Sequence, residues 1–379
     1  MSTYRYFSTD LITGALRADA IPLHVDSFSR YLGGVGQPGQ LTGKLDLGAL
    51  PSQSNLLAAL EPRKSLLWVM QDDYPVWVGP VWDWDHSSAA SNELPIVAKE
   101  IGSLFQRREV RADQSWTADQ FTIIRNLVNY ATGKANGGVA QLVHSTNTSG
   151  AASITATFPA ANLGKISDLI GQFAAQYQIE YSWDPGLSAA NTPIITLRIG
   201  YAATMGRPYS STNLQLLFPG NLTDYAWPRT GSASANSVLA TASGGGGQSW
   251  TSNTATHGLD AADLAAGYPL LEDSMSYTGT VITAQSQIDA VADARQLQVA
   301  KSPTIPSATI AGGQVPTVQQ IQLGDHAMLA ATSSYHPAPA TAPLTPGLMQ
   351  DVRIIGWTVK PSGGDQPEST TLLLGGVSS

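Results

Sequence analysis

The chain of 379 residues contains no cysteine, which excludes disulfides, thiolate metal sites and a thiol nucleophile. It is poor in charge: 13% of residues are Asp, Glu, Lys or Arg, about half the usual fraction. The net charge of −8 and the lack of clustered Lys and Arg argue against a nucleic-acid-binding surface, though not against a wall along which DNA slides without sticking. No apolar run approaches the roughly 18 residues of a membrane span. Met1 to Asp10 has no basic stretch followed by an apolar core, so a secretory leader is not expected. No short-period repeat points to a solenoid.

What fills the gap is 36 Gly, 23 Pro and many Ser, Thr and Ala, with 42% hydrophobic residues. That composition suits short strands joined by many turns, and the length allows two or three domains. From 1 to 91 the chain reads as strands. Leu41, Gly43, Leu45 and Leu47 share one face of a strand whose other face carries Thr42, Lys44 and Asp46. Leu56–Leu60 predicts a short helix. Ser65–Met70 and Pro75–Val81 flank the polar Gln71–Tyr74 and predict a hairpin rich in Trp.

From 92 to 230 helix and strand mix. Ile96, Val97, Ile101, Leu104 and Phe105 follow helical spacing, Thr117-x-x-Gln120 has the form of a capping box before a helix ending at Gly133, and a third helix is predicted from Asn162. Strands follow at Ile179–Trp183 and Ile194–Gly200. From 231 to 379 the strand-and-turn character returns, with one helix capped near Thr283 and strands predicted at Thr304–Ala311, Val318–Leu323, His326–Ala331, Val352–Lys360 and Thr370–Leu374. His336–Pro346, with four prolines, reads as an extended loop.

Motifs that carry chemistry have plainer readings here. Gly34-x-Gly36-x-x-Gly39 matches a dinucleotide fingerprint as a string, but Pro38 interrupts it and a strand, not a helix, follows, so it reads as a turn. Gly244–Gly247 lacks the Lys-Ser/Thr of a phosphate loop. Asp72, Asp73, Asp83, Asp85 and His86 cluster in sequence and read as solvated strand ends; nothing sets a catalytic separation between them. The six His show no metal-ligand spacing, and no GxSxG elbow occurs. No catalytic, cofactor-binding or metal-ligating residue is assigned and no cofactor is expected.

The order of segments resembles the tail-hub (minor tail) proteins at the tail tip of long-tailed actinobacterial phages, which are related to the trimeric baseplate hub of contractile-tailed phages. The resemblance rests on Tyr4–Phe7, Ile21–Leu23, Leu41–Leu45, Trp68–Met70, Val76–Val81, Tyr268–Glu272, Leu323–Asp325, Arg353–Trp357 and Leu372–Gly375. It implies a mixed β fold with two tube-type β-barrel domains, 1–91 and 231–379, separated by an α/β region, 92–230. It implies a homotrimer whose six barrels ring a channel, and a place at the virion tail tip after assembly in the host cytoplasm. Implied partners are a distal-tail or tube protein above, the tape-measure protein, and fibre or receptor-binding proteins below, with DNA passing unbound. Leu41, Leu45, Leu47, Trp77, Val81, Met328, Ile354 and Trp357 are then subunit-interface or barrel-core candidates. A tail-associated glycan-degrading enzyme and a carbohydrate- or receptor-binding module stay open as alternatives. Convergent carboxylates at Asp83 or Asp85 would mark the first, and exposed aromatic rings the second.

Overall fold

A computed structural model of the chain describes residues 3–33, 38–47, 53–84, 92–228, 234–244, 248–299, 306–363 and 367–376. Gly34, Gly36, the loop 245–247, Asp85 and His86 lie outside these. The protein is mostly β; the described residues build a large sheet of 13 strands in which all but one ladder is antiparallel.

The first β unit comprises β1 (Tyr4–Asp10), β2 (Leu16–Ala18), β3 (Leu23–Tyr31), β4 (Gln40–Asp46), β5 (Ser65–Gln71), β6 (Tyr74–Trp84) and β7 (Glu93–Lys99). Hydrogen bonding orders them β3-β4-β7-β6-β5-β1-β2. The chain from Leu16 to Tyr31 bends so that its start pairs with β1, the Ile21 amide reaches the Tyr6 carbonyl, and its end pairs with β4. Alternation explains the facing: Leu41 and Leu45 are fully buried while Lys44 and Asp46 are exposed. The β5–β6 hairpin turns at Asp72 and Asp73, with φ of 47° and 65°, a two-residue turn that matches strand twist and that Asp tolerates. The helix predicted from Ile96 to Phe105 is instead β7 followed by one helical turn, Gly102–Phe105. Leu94, Ile96 and Ala98 alternate into the sheet's core, and pairing with β4 overrides the helical spacing.

The middle of the chain contributes β8 (Gln114–Ala118), β9 (Leu142–His144), β10 (Ile154–Phe158), β11 (Ile179–Leu187) and β12 (Pro193–Tyr201), with helices Gln120–Thr132 and Ile166–Gln176. Thr117 lies in β8 opposite Thr155, and the helix is capped two residues later, by the Asp119 carboxylate accepting from the Phe121 amide at 3.0 Å. The helix predicted from Asn162 starts at Ile166, because a short 3-10 turn ends at Leu163 in the left-handed region. Phe121, Ile124, Ile170 and Phe173 pack with Trp68, Met70 and Val78, which point out of the first β unit on the face opposite its inner core.

The second β unit begins with β13 (Gln215–Phe218) and β14 (Leu222–Ala226). Before it resumes, β15 (Ser237–Gly244), β16 (Ser249–Thr251) and β17 (Glu272–Ile282) form a separate three-stranded sheet, with helix Gln285–Val299 against its small core. It continues as β18 (Ser307–Ala311), β19 (His326–Ala331), β20 (Leu348–Lys360) and β21 (Ser369–Gly376). Val318–Leu323, predicted as a strand, forms turns; the Asp325 carboxylate accepts from the Gln322 and Arg207 amides and draws this stretch into a loop. His336–Pro346 carries no helix or strand.

The two β units share one pairing plan. The ladder β3-β4-β7-β6-β5 in the first recurs as β14-β18-β21-β20-β19 in the second, with the strands in the same chain order. The bent segment β13–β14 brackets the second unit, pairing with β19 at one end and β18 at the other. No ladder among the described residues closes the 13-stranded path into a barrel. The units join edge to edge through β3 and β20, where Phe28–Tyr31 lie opposite Val359–Gly356.

Candidate functional site

The β3–β20 joint is where three parts of the molecule meet, and it concentrates the buried charge of a charge-poor chain. Strand β3 supplies Arg30, whose side chain is about nine-tenths buried. Its guanidinium lies 3.5 Å from Glu100 and 2.6 Å from Asp184, and also donates to the Trp183 carbonyl at 3.0 Å. Asp184 accepts a second guanidinium, Arg198 of β12, at 2.6 Å. Strand β20 supplies Arg353, which forks onto both oxygens of Glu180 in β11 and donates to the Gly324 carbonyl at 3.2 Å. Arg207 grips the fully buried Asp325 in the same region. Bidentate Arg–carboxylate pairs fix orientation as well as distance. The β11–β12 hairpin is thereby clamped to both β units.

Beneath the charges lies an aromatic core. Phe28 meets Trp357 and Tyr4 edge-on, each at 5.7 Å, and the Arg30 guanidinium lies 5.8 Å from the Trp357 ring. Gly356 permits the crossing, since a Cβ there would stand 2.3 Å from the Tyr31 ring.

Protonation follows from burial. Full burial raises the Glu100 carboxyl to about 7, and Arg30 and the Gly39 and Tyr31 amides only partly oppose that. Burial also works against the Asp184 carboxylate, but Arg30 and Arg198 together hold it below the ordinary value. Tyr181, buried beside Glu100, is pushed up to about 12, first by burial and then by that carboxylate. A cleft of about 350 Å³ opens here, lined by Tyr31, Glu100, Gln106, Asp168, Tyr181 and Trp183 among others.

Of the residues singled out in the sequence, Leu41, Leu45, Trp77, Val81, Ile354 and Trp357 are buried in one core that spans both β units. Leu47 is partly buried against it, and Met328 is half-buried on β19. The Trp77 indole donates to the Ser29 carbonyl at 2.9 Å, tying β6 to β3. Trp68 donates to Thr9 and Trp82 to Ser103, so these rings are engaged within the chain. Asp83 is exposed on β6, and Asp72 accepts from the Thr3 amide at the hairpin end. Among the described residues no group of three His, Asp or Glu side chains is placed to hold a metal ion, and no helix is long and apolar enough to cross a membrane. The ionic cluster was missed by the sequence reading. Its only trace was an arginine within apolar strand patterns, at Phe28–Leu32 and Val352–Trp357.

No family model matches the chain, and no curated protein matches it in sequence. Solved structures do. The tail protein from Neisseria meningitidis MC58 aligns over 98% of this chain and 96% of its own, at 11% identity and a TM-score of 0.55. The 43 kDa tail protein of prophage MuSo2 from Shewanella oneidensis aligns over 98% of both chains, at 12% identity and a TM-score of 0.58. The prophage tail protein gp18 from Listeria monocytogenes EGD-e aligns over 97% of this chain and 94% of its own, at 12% identity and a TM-score of 0.51. The chain has the fold of these tail proteins. It extends over nearly the whole length of each, so the α/β parts belong to the shared fold along with the β units.

Proposed function

We propose that this chain is a structural hub of a phage tail tip. Three copies would form a ring in which six β units, two per chain, surround a central channel. The observation that carries the reading is the doubled pairing plan: one chain holds two topologically equivalent β units joined edge to edge, within a fold seen in phage tail proteins over almost their full length. A three-fold assembly of such chains presents six similar units, which suits it to cap a six-fold tube while offering three-fold symmetry below.

In this role the β units act as tube-type barrels, covering residues 1–91 and 231–379 with strands added from the region between. The α/β parts buttress them from outside. Distal-tail or tube proteins, the tape-measure protein and tip fibres are the partners such a ring would hold, and a net charge of −8 suits a wall past which DNA must slide. Arg30, Glu100, Asp184, Arg198, Glu180 and Arg353 hold the two units at a fixed angle, as a ring that must close demands. Leu41, Leu45, Leu47, Trp77, Val81, Met328, Ile354 and Trp357 serve as packing positions within the units. The role calls for no catalytic group.

Quantitative mass spectrometry of purified tails tests this. The chain should be present at three copies per tail; its absence from the particles would overturn the proposal.

A further inference from the structure

The two β units match in register as well as in topology, and this identifies an edge that the single chain leaves without a ladder. Ladder β6–β7 has a bulge between Val81 and Asp83, and ladder β20–β21 has one between Ile354 and Gly356. Aligning the bulges sets Val81 on Ile354, Asp83 on Gly356 and Trp84 on Trp357. Ladders β5–β6 and β19–β20 then agree as well: Leu66 opposite Pro80 corresponds to His326 opposite Arg353. Ladders β3–β4 and β14–β18 likewise share a bulge, between Val25 and Ser27 and between Leu222 and Asp224. That sets Phe28 on Tyr225, Arg30 on Trp227 and Tyr31 on Pro228. Ladders β4–β7 and β18–β21 differ by two residues, an even shift that keeps the same faces inward.

Within the chain, the first unit's Phe28–Tyr31 pairs with the second unit's Gly356–Val359. The second unit's equivalent stretch, Tyr225–Pro228, has no ladder on its outer edge among the described residues, and neither do Asp83 and Trp84 on the side away from β7. Resting on the ring reading above, we propose that Tyr225–Pro228 of one copy pairs antiparallel with Asp83–Trp84 of the next, repeating the β3–β20 joint between chains. The partner is a second copy of this chain. The contact is head-to-tail, so a three-fold rotation closes it.

Three details fit this partner. The Leu32 amide donates to the Ile355 carbonyl, so Tyr31 and Gly356 form the neighbouring pair that exchanges no ladder hydrogen bonds, and the Tyr31 amide turns to Glu100 instead. Pro228, which has no amide hydrogen, therefore occupies a position where the ladder needs none. Gly356 is required opposite the Tyr31 ring; its counterpart Asp83 faces Pro228, which has no such ring to clear. Arg30 and Trp357 lie directly opposite each other within the chain, and their counterparts Trp227 and Trp84, each half-buried in the single chain, would stack across the new joint.

The absence of cysteine makes the test direct. Asp83 and Pro228 are both exposed, so D83C and P228C leave the core untouched. Opposed residues of a pair without ladder hydrogen bonds have Cα atoms about 4.5 Å apart, within disulfide range. Purified tails carrying the D83C/P228C chain should yield a covalent trimer on mild oxidation, reversed by dithiothreitol. Each single variant, and D83C/T223C with its cysteine displaced along β14, should give none. In wild-type tails the Trp227 amide should exchange with solvent at least tenfold more slowly than in the free chain, a readout independent of any substitution. Tails that contain the chain but show neither the cross-link nor the protection overturn this joint and leave the hub reading standing. Tails that lack the chain overturn the hub reading itself.

Discussion

Replacing Glu100 with Gln should make the protein more stable at neutral pH and should flatten its pH dependence. Glu100 is fully buried at the joint of the two β units, with its carboxyl raised from 4.5 to about 7. A carboxyl raised on folding binds its proton more tightly in the native state. Its stabilising contribution is therefore complete below 4.5 and is lost as pH rises through about 7. At 1.36 kcal/mol per pH unit, that interval corresponds to about 3 kcal/mol. Gln keeps an oxygen to accept from the Gly39 amide, now 2.7 Å from Glu100, and does not titrate. Arg30 keeps Asp184 as its counter-ion. Thermal midpoints of both proteins between pH 5 and 8 measure the effect as a difference, so that groups common to both cancel. The variant should gain on the wild type as pH rises, by on the order of 5 °C across the range. A difference independent of pH would refute the assignment of Glu100 as a buried, proton-sensitive group.

Arg30→Met should cost about 3–5 kcal/mol, because it leaves Glu100 and Asp184 buried without their shared cation, and R30M/E100Q should recover part of that loss in urea unfolding. Trp77→Phe should cost about 1–2 kcal/mol through the lost bond to the Ser29 carbonyl, and Trp77→Ala about 3–5 kcal/mol through the added cavity; a Phe variant as stable as the wild type in urea unfolding would mean the hydrogen bond contributes nothing. Asp325→Ala removes the acceptor of the Arg207 and Gln322 amides and should expose the 312–325 loop to limited proteolysis, with a loss of about 2–3 kcal/mol.

The strand at Leu41–Leu47 was readable from sequence because its one buried face leaves a local period-two alternation, and the hairpin at Ser65–Val81 because two apolar runs, buried on both faces, flank the polar Gln71–Tyr74. The misreadings have tertiary causes. Ile96 to Phe105 has helical spacing because β7 and the turn after it feed two different cores, and their combined pattern mimics one helix face. Val318–Leu323 spaces Val, Ile and Leu among glutamines much as a short strand would, yet Asp325, further along, holds it as turns. The ionic cluster at the joint was invisible because its members come from positions 30, 100, 180, 184, 198 and 353, and no local spacing records which distant charges will meet. The doubled pairing plan was hidden for a related reason: equivalent positions such as Arg30 and Trp227 share geometry without sharing residue type.

Cryo-electron microscopy of the assembled tail would show the ring itself. Three copies of this chain should form a closed ring, with six β units around an open channel and β14 of each copy beside the end of β6 in the next. A ring of another stoichiometry, or this chain placed away from the tube axis, would contradict this arrangement.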